Sequence, residues 1–160
     1  MRVVGVISLF AVALVICRAL AEHEERRIRA IDGLLALLRH VKAKILCFRM
    51  PLDEIYRDVC DAELERIGFL RILRESASLR RALEGSSETL LISQDLFRRL
   101  AELGDALGAG DGAAAAELCE YYIGELSREA AELRAAAPKR LRLHRSLVVT
   151  GMLMLVIVFI

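Results

Sequence analysis

Residues 22–48 read EHEERRIRAIDGLLALLRHVKAKILCF, and their spacing decides the fold. Ile28, Ile31, Leu34 or Leu35, Leu38, Val41, Ile45 and Phe48 recur every three or four residues. That is the period of one helix face, not the two-residue alternation of a strand. Glu22–Arg26 and Glu25–Arg29 are i,i+4 pairs in the favourable order. The stretch therefore predicts a long amphipathic helix with one face in a core. It must end before Pro51, because the residue preceding a proline is pushed out of the α region.

C-terminal to this helix the pattern stays helical. Pro51 and Leu52 suit a helix start, with Asp53 and Glu54 near its positive end. Ile55, Val59, Leu64 and Ile67 form a looser stripe up to a bend at Gly68, and Phe69 to Leu83 reads as a third helix closed by Gly85. Ser86-Ser87-Glu88 offers a hydroxyl cap for the next helix, which carries Leu96, Leu100, Leu103 and Leu107. Gly104 and Gly108 interrupt that helix. A mid-helix Gly costs about 1 kcal/mol relative to Ala, and its usual compensation is close approach of another backbone. Gly108-Ala109-Gly110-Asp111-Gly112 is a turn, with no preceding strand and no following Lys to make it a phosphate loop. Asp111 is expected to cap a final helix with Leu118, Tyr122, Leu126, Ala130, Leu133 and Ala137 on one face, which Pro138 kinks or breaks. The fold expectation is all-α, an antiparallel bundle of about five to six helices.

Outward from the bundle, the composition changes. Val3–Cys17 and Leu147–Ile160 contain no charged residue. A 15-residue helix such as Val3–Cys17 rises about 22 Å, short of the roughly 30 Å hydrocarbon core of a bilayer. Arg18 can snorkel and let Ala19-Leu20-Ala21 join the first run, and Arg145 can do the same for the last. The expected organisation is a membrane segment at 1–21, a helical bundle at 22–138, and a basic flank with a second membrane segment at 139–160. Arg18, Arg26, Arg27 and Arg29 follow the first run; Lys139, Arg140, Arg142 and Arg145 precede the last. By the positive-inside rule both flanks face the cytoplasm, which makes the middle cytoplasmic. The same side chains can bind anionic headgroups.

Other readings of the ends compete. Arg2, the apolar run and Ala19-Leu20-Ala21 also match a signal peptide cleaved after Ala21. The product would be an exported helical binding module tethered by its tail. The C-terminal run could instead be a buried last helix, or a cleaved lipid-anchor signal.

Little in the chain calls for chemistry. Net charge is +1, so no global field draws nucleic acid or an acidic substrate. Cys17, Cys47, Cys60 and Cys119 show neither CxxC spacing nor a disulfide framework and read as free thiols. His23, His40 and His144 are far apart in sequence. Asp53-Glu54, Asp58 and Asp61 read as a solvated acidic face beside Arg57 and Arg66. Tyr121-Tyr122 reads as core packing rather than base stacking. No catalytic residue, cofactor or metal is expected. An enzyme would need residues such as His40, Asp58 and Cys60 to converge.

Several spacings together carry a resemblance. They are Arg29…Leu35…Leu38…Ile45 followed by Pro51-Leu52, then Leu103-Gly104-x-x-Leu107-Gly108-x-x-Asp111, then Arg145-Ser146-Leu147 before an apolar run. With the N-terminal apolar segment, the chain resembles stage III sporulation protein AB of endospore-forming bacteria over nearly its whole length. That family is similar to the cytoplasmic helical domain of type II secretion and type IV pilus platform proteins. The resemblance implies a non-enzymatic adaptor in the mother-cell membrane facing the forespore. It would dock a secretion-type ATPase onto other subunits of a stage III channel complex, with no nucleic-acid or small-molecule partner. It also implies that Pro51, Leu52, Gly104, Leu107, Gly108 and Asp111 serve helix packing or a partner interface.

Overall fold

The computed structural model describes residues 2–48, 50–109 and 112–159. They form α1 (Arg2–Phe48), α2 (Leu52–Asp58), α3 (Ala62–Arg66), α4 (Phe69–Ser76), α5 (Leu79–Gly85), α6 (Ser87–Leu90), α7 (Gln94–Ala109) and α8 (Gly112–Phe159). The fold is all-α, with more and shorter helices than the five to six read from periodicity. Two compact units are present: Arg27–Ala131, and the residues up to Arg26 together with those from Glu132 onward.

The Arg27–Ala131 unit is built on the α1 stripe. Ala30, Ile31, Leu34, Leu35, Leu37, Leu38, Val41 and Ile45 are all buried. The stripe is wider than expected, because neighbours cover both Leu34 and Leu35. Ile28 is half-buried, and the side chain of Phe48 lies outside the described residues. In α7 the expected Leu96, Leu100, Leu103 and Leu107 are all buried. In α8 the inward face shifts. Ala115, Ala116 and Cys119 are buried with Leu126 and Ala130, while Leu118 and Tyr122 are half-buried at its margin.

The additional helix ends have local causes. The expected helix over 51–67 breaks at Val59–Asp61. There Asp61 Oδ1 accepts hydrogen bonds from the Glu63 and Leu64 amides at 3.0 and 2.9 Å, starting α3 afresh. The Arg74 guanidinium takes up the Val59 carbonyl at 2.8 Å. The expected helix over 69–83 breaks at Ala77, which adopts φ 49°, and Ser78 caps α5 by accepting from the Arg81 amide at 3.4 Å. Ser86 is not a cap. It is buried, and its hydroxyl donates to the Ala82 carbonyl one turn earlier. The helix opening there is the one-turn α6, which ends at Leu91 with φ 53°. Ser93 performs the capping instead: its Oγ accepts from the Leu96 amide at 3.3 Å and donates to Glu129 of α8 at 3.2 Å.

Pro138 does not break α8, which runs on to Phe159. Proline removes one backbone bond, to the carbonyl of Arg134. Both residues are exposed, so water can take that carbonyl. Asp111, the expected cap of α8, lies outside the described residues.

Three glycines make close contacts, Gly85 against the flexible end of Ile72 and the other two against neighbouring helices. A Cβ on Gly104 would stand 2.9 Å from the Arg80 amide nitrogen and 3.2 Å from Leu79 Cβ, so α7 meets the first turn of α5 backbone to backbone. A Cβ on Gly33 of α1 would stand 2.9 Å from Leu64 Cγ of α3. Gly68, with φ 81°, makes the expected bend.

The expected membrane segments are not found as spans. Among the described residues no helix is long and apolar enough to cross a membrane. The side chains of residues 2–11 and of most of 140–160 lie outside the described residues.

These contacts predict opposite signs for two glycine substitutions. Gly104→Ala gains helix propensity but drives Cβ into backbone that cannot swing aside, and should lower stability by about 1–2 kcal/mol. Gly124 of α8 has nothing within 4 Å of an added Cβ, and Gly124→Ala should raise stability by up to about 1 kcal/mol. Denaturant unfolding of the full chain in detergent, followed by circular dichroism, checks both.

Candidate functional site

Pro51 stands at the N-cap of α2 with φ −66° and ψ 147°. Its carbonyl accepts from the amides of Glu54 and Ile55, both at 3.2 Å. Leu52 beside it is half-buried. Gly104 packs on α5, and Leu107 is 3% exposed and belongs to the core rather than to a surface. Gly108 lies in α7, but its surroundings, like Asp111, lie outside the described residues. Pro51 with Leu52 and Gly104 with Leu107 thus sit on different helices; Gly104 and Leu107 pack inside the bundle, whereas Pro51 is exposed.

The acidic residues are used to join helices. Asp58, at the end of α2, receives Lys44 Nζ of α1 at 2.8 Å, and His40 Nε2 stands 3.6 Å away. The hydrogen bond from Lys44, then its charge and more weakly that of His40, hold the Asp58 carboxyl below its ordinary 3.8. Met50, Glu54 and Arg57 complete the shallow depression around this pair. Sequence reading treated these groups as a solvated face. The available signal was the i,i+4 spacing of His40 and Lys44 on α1, but nothing in the sequence says that Asp58 meets them.

The same pattern recurs elsewhere. Arg29 reaches Glu63 at 3.6 Å, Arg99 reaches Glu125 at 2.8 Å, Lys42 pairs with Glu120, and Arg80 pairs with Asp105. Such exposed pairs are worth about 0–1 kcal/mol each. They fix which helices meet more than they stabilise them.

The nucleophiles are set for packing. Cys119 is buried, and its thiol is pushed up to about 11 by that burial. The Tyr56 hydroxyl, also buried, is raised well above its ordinary range for the same reason. A thiol held protonated is a weak nucleophile. Cys47 and Cys60 are exposed. Among the described residues no three His, Cys, Asp or Glu side chains come together as a metal site. His40 and Asp58 approach one another, but they do so around Lys44.

The terminal unit carries a different surface. Val12, Leu14, Val15 and Ile16 are 56, 52, 66 and 50% exposed, and Leu20, Leu143, Val149 and Met154 are exposed as well. Of the basic flanks, Arg18, Lys139 and Arg142 are exposed. Arg26 is exposed and pairs with Glu22 at 3.7 Å. Arg27 is half-buried, with Nε enclosed. Arg29 pairs with Glu63 and so joins α1 to α3 in the bundle. The side chains of Arg140 and Arg145 lie outside the described residues.

A small helical bundle with unsheltered apolar side chains toward both termini defines the class of protein. The family model of stage III sporulation protein AB matches residues 2–160, and the chain belongs to that family. Neither the curated proteins nor the solved structures contain a match to it.

The Asp58–Lys44 pair predicts an acid-side effect. A carboxyl whose folded value is lowered contributes stability that is fully present above its unfolded value. That contribution is lost as pH falls through the lowered folded value. The stability difference between wild type and Asp58→Asn should therefore be largest near neutrality and shrink below about pH 4. Urea unfolding across an acid pH series measures it.

Proposed function

We propose that this stage III sporulation protein is a non-enzymatic, membrane-anchored adaptor. Its helical bundle faces the mother-cell cytoplasm, its apolar termini hold it to the membrane facing the forespore, and the bundle docks a secretion-type ATPase to other subunits of a secretion-like channel. One observation carries the reading. Val12, Leu14, Val15, Ile16 and Leu20, with Leu143, Val149 and Met154, are exposed among the described residues. Apolar surface costs roughly 25 cal/mol per Å² left in water, and contiguous exposure of this kind marks a membrane or partner surface.

Two further features agree. Helix α1 runs unbroken through Ala19-Leu20-Ala21, as a retained anchor would. Several groups capable of chemistry serve the structure: Asp58 pairs with Lys44, and Cys119 and Tyr56 lie in the core. Docking of an ATPase rests on family analogy, which supplies a role but not a site.

Purification of the intact complex from sporulating cells, with chemical crosslinks mapped to this chain, tests the proposal. The chain should begin upstream of Glu22, and residues 27–131 should crosslink to the ATPase. A mature amino terminus at Glu22 would replace the adaptor by an exported module. Crosslinks confined to other subunits would remove the ATPase from the account.

A further inference from the structure

Cations and carboxylates are distributed unevenly along the two terminal segments. From Val3 to Ala21 and from Leu133 to Ile160 the chain contains no Asp or Glu. Apart from Arg134, the Arg and Lys residues in those stretches cluster at the inner border of the apolar runs: Arg18 on α1, and Lys139, Arg140, Arg142 and Arg145 on α8. Arg18, Lys139 and Arg142 belong to the same compact unit, and each is exposed. None of the three has a carboxylate partner among the described residues, and Glu22, the first acid after Arg18, already pairs with Arg26. In the bundle, Arg29, Lys42, Lys44, Arg80 and Arg99 have carboxylates opposite them, and the exposed cations without one there among the described residues, such as Arg57 and Arg81, do not border a charge-free apolar run.

Unpaired cations beside unsheltered apolar side chains match one kind of molecule. Leu20 lies two residues from Arg18, and Leu143 is next to Arg142; both leucines are exposed. A ligand that satisfies both features has a phosphate at one end and a hydrocarbon chain at the other. Guanidinium groups suit phosphate oxygens by two-point hydrogen bonding, and a lysine adds a point charge.

We propose that Arg18, Lys139 and Arg142 form a collar that binds the headgroup phosphates of anionic phospholipids such as phosphatidylglycerol. The proposal rests on the membrane reading above and goes beyond it. Anchoring needs only hydrocarbon, whereas the collar makes the anchor selective for lipid charge. A cation near an anionic leaflet gains about five-fold in partition. Three acting together give a strong preference that salt weakens.

The full chain reconstituted into phosphatidylcholine vesicles, with trace spin-labelled phosphatidylglycerol or phosphatidylcholine, tests this. Electron spin resonance reads the fraction of each labelled lipid immobilised against the protein. The expected result is several-fold selectivity for the phosphatidylglycerol label, falling toward unity in high salt and in the Arg18→Gln/Lys139→Gln/Arg142→Gln variant. The charge-conserving Arg18→Lys/Arg142→Lys variant should keep most of it, and unchanged helical circular dichroism shows that both variants fold. Equal immobilisation of the two labels by the wild-type chain overturns the collar and leaves anchoring intact. No immobilised lipid of either kind overturns the membrane reading, and the collar with it.

Discussion

Burial of one face of α1 holds the bundle together, because most of its other helices are too short to exist without it. Helices α2 to α6 are 7, 5, 8, 7 and 4 residues long, and isolated helices below about 12 residues are marginal in water. They persist because Ile55, Leu64, Phe69, Leu70, Leu73, Ala82, Leu83 and Leu90 are fully enclosed in the bundle core, where Leu64 meets α1 at Gly33. Their ends are then fixed by polar groups: Asp61 for α3, Ser78 for α5 and Ser93 for α7. Ion pairs choose neighbours on the surface, and the backbone contact at Gly104 sets how closely α5 and α7 approach.

This dependence explains what the sequence revealed. The α1 stripe and the Leu96–Leu100–Leu103–Leu107 run were legible because long helices repeat their period many times. Gly104 drew attention because its cost inside a helix demanded a reason. The breaks at Ala77 and Leu91 were not legible. Each is a non-glycine residue at positive φ, a conformation that local propensity argues against and the surrounding packing imposes. Asp61 and Ser93 had the right residue type for caps, but helical periodicity on both sides obscured them. The meeting of Asp58 with Lys44 and His40 was invisible for another reason, since pairing across helices leaves no mark on local spacing. The α8 face was legible at Leu126, Ala130 and Leu133, which are buried, but not at Ala115, Ala116 and Cys119, whose small side chains carry little periodic signal.

The basic flanks also divide once side chains are seen. Arg29 serves the bundle through Glu63, whereas Arg18, Lys139 and Arg142 remain exposed without carboxylates opposite them among the described residues. The border between the two compact units on α1 thus runs through the arginine cluster, between Arg26 and Arg27, rather than before it.

Thiol labelling tests the central claim most directly, because Cys47 and Cys60 are exposed while Cys119 is buried. Intact sporulating cells and permeabilised cells are treated with a membrane-impermeant maleimide, and the sites of modification are read by mass spectrometry. The account predicts labelling of Cys47 and Cys60 only after permeabilisation, with Cys119 unmodified until the chain is unfolded. Labelling of Cys47 or Cys60 in intact cells would place the bundle outside the cytoplasm and contradict it.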